Sequence, residues 1–304
     1  MKKLFRLLLL FFVATLSFVN VAKAATYYIT GDGVRVRSSA KNADNIIGKL
    51  NYGDVIEVVS LKNSWYKIKY GKGYGYVTYR YVSKIENTYG SKTIALLTSN
   101  TSLKKSNSSS SSTITTIPKN GVVIVLKEKS GWAYVHYNEQ NGYVKTSSLK
   151  KYTNNNELAI GSYTINYSSS NSNRKRNISL ISSKLNKTSI KNNAKFSFIS
   201  KIGRSGYSYA PEFTNDSTYA GGASQVATTL FLAVRDAQRN NYHINVSEQN
   251  RYGSKTPYAK LGEEAMINLK NNKDLVFTNK SGKTIKIYTE TSSNTVSVVI
   301  SIVL

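Results

Sequence analysis

The sequence predicts a multidomain protein, with two small all-β barrels followed by an α+β domain. Three observations lead to this expectation. The chain has 304 residues, which is enough for several small domains. Residues 25–152 hold short runs of tyrosine, valine and isoleucine between glycines, a pattern typical of β-strands. From residue 157 onward, apolar residues also recur with helical spacing.

The first 24 residues have the features of a secretory signal peptide. Lys2, Lys3 and Arg6 precede an apolar run at Leu7–Val19, and Ala22–Lys23–Ala24 is typical of a cleavage site. The apolar run is short for a membrane span, and no later segment is both apolar and long enough to cross a bilayer. We therefore expect a secreted protein without a membrane span after signal cleavage.

Residues 25–88 and 91–152 form an internal repeat. In both copies a tryptophan (Trp65, Trp132) is followed five residues later by a tyrosine (Tyr70, Tyr137). Gly-Tyr-Val begins ten residues after each tryptophan. The second copy diverges at its start and carries a serine-rich loop. The shared register predicts two barrels of the same kind.

The repeat resembles bacterial SH3 domains. The first copy carries the resemblance in its V-R-V-R-S opening (Val34–Ser38), its W-x-K-I strand (Trp65–Ile68) and its closing G-Y-V (Gly75–Val77). The opening of the second copy lacks the arginine. This resemblance implies barrels that dock exported proteins on peptidoglycan.

Aromatic and basic side chains on the barrels are the expected contacts, because sugars stack on aromatic faces. Tyr79 and Tyr81 are the candidate binding residues. Trp65 and Trp132 are further candidates, although their strict spacing favours a place in the barrel cores.

The last domain, residues 157–304, is organised around a glycine pair that leads into a helix. Gly221 and Gly222 predict a tight turn, and Val226, Leu230 and Ala233 lie on one face of the helix that follows. Backbone N–H groups are unpaired at a helix N-terminus and the dipole is positive there, so an anion or a nucleophile is favoured. Another helix is predicted at 174–186, strands at 161–167, 195–198 and 275–302, and a short helix or strand within 260–271.

This domain resembles VanW-like domains. GGASQVATTLFLA (221–233) matches the family's GGGxCQ motif and the Thr-Thr-Leu helix after it. Four shorter matches follow the family order, among them KFSF at 195–198 and the G-x-D-A-like segment at 262–265. Ser224 stands where the family has cysteine, and Tyr252 where it has histidine. The resemblance implies peptidoglycan acyl transfer, as in L,D-transpeptidases, only where the thiol and the histidine are present.

Two functions remain open from the sequence besides adhesion to a host or matrix polyanion through bulk charge, which would be sensitive to salt. One is a cell-wall binding protein whose VanW-like domain is not catalytic. The other is an acyl-transfer enzyme that uses Ser224 as its nucleophile, with Glu264 or Glu248 as the base that a serine hydroxyl requires. Serine is also a common helix N-cap, which would give Ser224 a purely structural role.

The amino-acid composition limits the kinds of partner and site that this protein can have. There is no cysteine, which excludes disulfides, thiolate metal sites and cysteine catalysis in this chain. The net charge of +26 predicts a surface that attracts polyanions. For an exported protein these are peptidoglycan and the anionic polymers of the wall rather than nucleic acid. His136 is predicted on a strand surface and His243 in a loop; their separation gives no metal-site spacing, and no metal or other cofactor is expected.

Overall fold

The computed structural model describes residues 27–31, 33–50, 54–84, 89–167, 171–210, 221–253 and 256–304. The predicted signal peptide lies outside these residues. The described chain forms two small β domains followed by a domain of mixed helices and strands, in agreement with the predicted fold class. Within the described part of the chain, no helix is long and apolar enough to span a membrane.

The first barrel consists of short antiparallel strands. They form the sheets β4–β1–β8 and β3–β2–β7–β6–β5. Alternate residues of each strand point into the barrel, and the core contains Ile29, Val34, Val36, Ile56, Ile68 and Val77. The strands are β1 (Tyr27–Ile29), β2 (Val34–Arg37), β3 (Ile46–Leu50), β4 (Val55–Ile56), β5 (Val58–Lys62), β6 (Trp65–Tyr70), β7 (Gly73–Thr78) and β8 (Val82–Lys84), with a 3₁₀ turn at Tyr79–Tyr81.

The second barrel repeats this arrangement in one sheet. Its order is β11–β10–β14–β13–β12–β9–β15. The 3₁₀ turns of the two barrels, Tyr79–Tyr81 and Thr146–Ser148, occupy the same place after the Gly-Tyr-Val strand. The strands are β9 (Thr93–Leu97), β10 (Thr101–Lys104), β11 (Thr113–Ile117), β12 (Val122–Lys129), β13 (Trp132–Tyr137), β14 (Gln140–Lys145) and β15 (Leu149–Thr153).

The last domain packs helices against antiparallel sheets ordered β16–β22–β21–β17 and β18–β20–β19. The segment predicted as a strand at 195–198 divides, since Phe198 begins a short helix. Residues 260–271 form turns and loops instead of the predicted helix or strand. The elements are β16 (Glu157–Asn166), α1 (Ser172–Leu185), β17 (Thr188–Ile190), β18 (Lys195–Ser197), α2 (Phe198–Ile202), α3 (Ala223–Arg239), β19 (Ile244–Gln249), β20 (Leu275–Asn279), β21 (Ile285–Thr291) and β22 (Thr295–Val303).

Helix α3 lies at the centre of the last domain. Its predicted apolar face, including Val226, Leu230 and Ala233, is fully buried. The helix packs directly on β16 at Gly161, where a Cβ would lie 2.5 Å from the carbonyl oxygen of Ala233. Only glycine allows this close approach of helix and strand.

The second barrel docks on the sheet of the last domain. In β12, Val123 and Val125 face the barrel core, whereas Val122 and Ile124 contact the last domain. In β22, alternate residues likewise face α3 or the barrel, with Val299 on the barrel side. Val122 and Ile124 of the barrel thus pack with Ala159 and Val299 of the last domain in a small hydrophobic interface.

Candidate functional site

The glycine pair before α3 forms the tight turn that the sequence predicts. Gly222 has a φ of 105°, a left-handed conformation that glycine adopts at no steric cost. A Cβ on Gly222 would lie 2.9 Å from Ile178 Cγ1, and one on Gly221 would lie 2.1 Å from the carbonyl oxygen of Ala210. Gly222 thus lets the N-terminus of α3 pack tightly against α1, and Gly221 allows the close approach of the backbone at Ala210.

Ser224 is not the cap of this helix, which corrects the capping hypothesis. Gly222 is the N-cap, and Ser224 lies inside the first turn with no exposed surface. Its Oγ accepts a hydrogen bond of 3.0 Å from the backbone N–H of Ile267. The hydroxyl therefore ties α3 to the loop that carries the G-x-D-A-like segment.

None of the candidate bases forms a hydrogen bond with Ser224 in the described residues. Glu264 is fully buried, and its carboxylate oxygens have no hydrogen-bond partner there. The Glu248 carboxylate accepts hydrogen bonds from Asn250 and from the backbone N–H of Asp274. Tyr252 is half-buried in an irregular segment after β19. The predicted nucleophile and its bases are thus not assembled into a hydrogen-bonded catalytic group.

The structure shows where His243 lies and how the histidine and acidic side chains are grouped. His243 is exposed just beyond the C-terminal end of α3, a 17-residue helix whose length of roughly 25 Å separates it from Ser224. Across the described ranges, His, Asp and Glu side chains form no group of three that could hold a metal ion.

We expect Ser224→Ala to lower the free energy of unfolding by about 1–3 kcal/mol, because the buried N–H of Ile267 loses its acceptor. Urea unfolding of the two proteins measures this difference. Ser179→Ala is the matched control, since Ser179 is an exposed helical serine of α1. Equal stability of the Ser224→Ala variant and the natural chain would remove the structural role assigned to this hydroxyl.

Tyr79 and Tyr81, the candidate binding residues, lie at the surface of the first barrel. The two side chains flank Arg80 on the 3₁₀ turn and are 48% and 45% exposed. The corresponding turn of the second barrel, Thr146–Ser148, carries no aromatic residue. The exposed aromatic pair is therefore a feature of the first barrel alone.

The two tryptophans do not belong to the barrel cores, contrary to the preferred interpretation of their spacing. Trp65 and Trp132 are half-buried at the starts of β6 and β13. The core clusters are built from smaller residues of the same strands, such as Ile68 and Val135. The spacing reflects a shared, half-buried position at the first residue of equivalent strands.

A polar cluster that the sequence did not predict lies between the second barrel and α3. His136, predicted on a strand surface, is only 4% exposed because α3 covers it. Its Nε2 lies 3.0 Å from both carboxylate oxygens of Asp236, and its Nδ1 lies 2.7 Å from Asn141. Tyr89 stacks on the imidazole and donates its hydroxyl proton to Asp236, which also accepts the backbone N–H of Ser162 at 2.8 Å.

The charge of Asp236 changes the acid–base behaviour of this cluster. Burial alone lowers the pKa of His136, but the adjacent carboxylate of Asp236 and the hydrogen bonds to Asp236 and Asn141 outweigh it, so the pKa is raised. His136 is therefore stabilised as a cation paired with Asp236 across the domain boundary.

A second ionic group lies beside this pair. Arg235, 1% exposed, contacts Glu139 of the second barrel at 3.0 Å and Glu263 at 3.1 Å. Arg239 also pairs with Glu139, and its guanidinium lies 5.0 Å from the ring centre of Tyr28 in the first barrel. Burial raises the pKa of Glu139 to about 7 despite the charge of Arg235. One end of α3 thus contacts both barrels.

One signal in the sequence marks this interface. His136 occupies the repeat position of Lys69, which lies at the surface of the first barrel and pairs there with Glu57. A histidine at the position of a surface lysine indicates that this position differs in exposure between the two barrels. It does not show which helix or strand covers His136.

Models of two protein families match this chain. The VanW-like protein model matches residues 173–301, and the bacterial SH3 domain model matches residues 32–83 and 99–150. This combination of domains fits a protein associated with the bacterial cell wall.

Two curated proteins show partial similarity. "Putative N-acetylmuramoyl-L-alanine amidase YrvJ" of Bacillus subtilis is 27% identical over 132 residues, which cover 40% of this chain and 26% of that protein. Bacteriocin BCN5 of Clostridium perfringens is 36% identical over 78 residues, which cover 25% of this chain and 9% of the bacteriocin. The alignments thus span about a quarter and about a tenth of these relatives.

Two solved structures align over most of this chain with low scores. NlpC2 of Trichomonas vaginalis aligns over 90% of both chains at 11% identity, with a TM-score of 0.19. NlpC1 of the same organism covers 90% of this chain and 87% of its own at 11% identity, with a TM-score of 0.22. No conclusion about fold or function rests on these scores.

Proposed function

We propose that this chain, which carries two bacterial SH3 domains followed by a VanW-like domain, is a secreted protein that binds peptidoglycan through its barrels. The observation that carries the proposal is the exposed pair Tyr79 and Tyr81 with Arg80 between them. Aromatic faces suit sugar rings, and a guanidinium suits the carboxylates of stem peptides.

The two barrels have different roles in this proposal. The first barrel presents the aromatic pair to solvent. The second barrel has no aromatic residue at the equivalent turn, Thr146–Ser148, and uses a different surface, around His136 and Glu139, to hold the last domain. The first barrel is therefore the principal wall-binding module, and the second fixes the VanW-like domain behind it.

The positive charge of the chain supports attraction to a polyanionic wall. Anionic wall polymers are accordingly included as secondary partners, bound through general charge and sensitive to salt. The printed name of the Bacillus relative, "Putative N-acetylmuramoyl-L-alanine amidase YrvJ", also supports the cell wall as the location of this chain.

The VanW-like domain is proposed to be non-catalytic. The cysteine of the family is Ser224 here, and the Ser224 hydroxyl accepts a structural hydrogen bond from Ile267. A serine hydroxyl stays protonated at neutral pH without an adjacent base. Acyl transfer by Ser224 therefore remains the alternative, and it is tested separately below.

We expect the chain from residue 25 onward to sediment with insoluble peptidoglycan, including walls stripped of anionic polymers. The double variant Tyr79→Ala/Tyr81→Ala should bind about tenfold more weakly, equivalent to ~1.4 kcal/mol. Tyr209→Ala is the matched control, because Tyr209 is an exposed tyrosine of the last domain. Equal binding by the double variant and the control would exclude the aromatic pair as the wall contact.

The catalytic alternative is tested with muropeptides that contain tetrapeptide stems. We expect no crosslinked dimers after incubation with the natural chain, as followed by mass spectrometry. Dimers that form with the natural chain and disappear with Ser224→Ala would establish the enzyme function, provided that the variant remains folded.

A further inference from the structure

A polar cavity of about 370 Å³ lies where the three domains meet. The first barrel contributes Tyr28 to its wall, and the second barrel contributes Tyr137 and Glu139. The last domain contributes Tyr163, Arg239, Lys260 and Glu263. This volume is at the lower end of the range of small-ligand pockets, so the cavity suits a small group and not a polymer.

Basic and acidic side chains both line the cavity. Arg235 lies behind the wall and pairs with Glu139 and Glu263, while Arg239 pairs with Glu139. Lys260 is exposed and forms no ion pair within the described residues. Because burial raises the pKa of Glu139 to about 7, its negative charge is incomplete near neutral pH. The wall itself holds two cations, Arg239 and Lys260, and two carboxyl groups, Glu139 and Glu263. The carboxyl groups pair with arginines, so the ammonium group of Lys260 is the cation that a ligand can reach.

Two phenol groups complete the wall. The hydroxyls of Tyr137 and Tyr163 have no hydrogen-bond partner among the residues that the structure describes. Burial raises the pKa of both groups, so both remain protonated hydrogen-bond donors. A carboxylate placed between Lys260 and these phenols would gain charge compensation and hydrogen bonds from neutral donors.

We propose that this junction cavity binds the terminal carboxylate of a short peptide. The carboxylate forms an ion pair with Lys260 and accepts hydrogen bonds from the hydroxyls of Tyr137 and Tyr163. Residues of all three domains surround it. A doubly charged phosphate fits less well, because Glu139 and Glu263 lie in the same wall. The identification of the peptide as part of a wall stem peptide rests on the proposed function, whereas the carboxylate site itself does not.

The test uses the full chain from residue 25 and isothermal titration with alanine dipeptides of either chirality. The probes are the free acid and its C-terminal amide, with inorganic phosphate as the competing anion. We expect the free acid to bind at least tenfold more tightly than the amide, and tighter than phosphate. Equal binding of acid and amide, or tighter binding of phosphate, would overturn the proposal.

The variants Lys260→Met and Tyr163→Phe should each weaken binding of the free acid about fivefold or more. Each variant removes one group without a partner in the described structure, so the unfolding midpoint should stay unchanged. Lys119→Met, at an exposed lysine of the second barrel, is the matched control. Affinity that is unchanged in both cavity variants would contradict the proposed site.

The outcomes separate this inference from the wall-binding proposal. If the chain binds walls through Tyr79 and Tyr81 but binds no dipeptide, the cavity site is rejected and the proposed wall binding is retained. If the chain binds the dipeptide through Lys260 but does not bind walls, the cavity site is retained and the proposed function is rejected.

Discussion

Replacing Asp236 with alanine is expected to destabilise the protein by about 3–5 kcal/mol, the usual cost of removing one partner from a buried ion pair. Asp236 is 1% exposed and is the common acceptor for His136, Tyr89 and the N–H of Ser162. Its loss would leave all three donors at a buried interface. Urea unfolding, followed through the tyrosine and tryptophan signals, measures the change.

Two further variants test whether the lost charge of Asp236 causes this loss of stability. Asp236→Asn keeps an acceptor for Ser162 but cannot balance the charge of His136, so its effect should be smaller than that of alanine. Asp44→Ala, at an exposed carboxylate of the first barrel, should change stability by less than about 0.5 kcal/mol. A loss below 1 kcal/mol for Asp236→Ala would show that the Asp236 pair does not hold the domains together.

The fold could largely be predicted from the sequence, because its evidence is local. The period-2 strands and the glycine turn before α3 depend on neighbouring residues only. The common register of Trp65 and Trp132 follows directly from the spacing of the internal repeat. The helix start was correct within one residue. The cap was assigned to the wrong residue, because Gly222 in a left-handed conformation takes the position that serine usually occupies.

The polar site could not be predicted in the same way, because it depends on which element covers a strand face. Strand alternation places His136 opposite Val135, but it does not show that α3 packs on that face. The burial of the tryptophans could not be predicted for the same reason. Their shared register shows that they occupy equivalent positions, but it does not show whether those positions are half-buried or in the barrel core. The families' motifs point to Ser224, whereas Asp236 and Arg235 lie outside any motif used in the prediction.

Raising the pH from about 5 to about 8 is expected to reduce the free energy of unfolding. The pKa of Glu139 is about 7 in the folded protein, above its ordinary value of 4.5, and the pKa of His136 is raised above 6.5. The folded protein therefore binds more protons at these two groups than the unfolded chain does. Stability then falls as pH rises, first between about 4.5 and 7 through Glu139, and then above 6.5 through His136.

Glu139 should account for about 3 kcal/mol of this loss, since each pKa unit corresponds to roughly 1.4 kcal/mol. Glu139→Gln should flatten the lower part of the stability profile, because a neutral amide has no proton to lose. His136→Asn should flatten the upper part, while Asp44→Ala should leave the profile unchanged. Urea unfolding at pH 5, 6, 7 and 8 provides the measurement. If the free energy of unfolding of the natural chain rises from pH 5 to pH 8, the charges of Arg235 and Arg239 compensate for the burial of Glu139. The folded protein would then not bind more protons at Glu139 and His136 than the unfolded chain does.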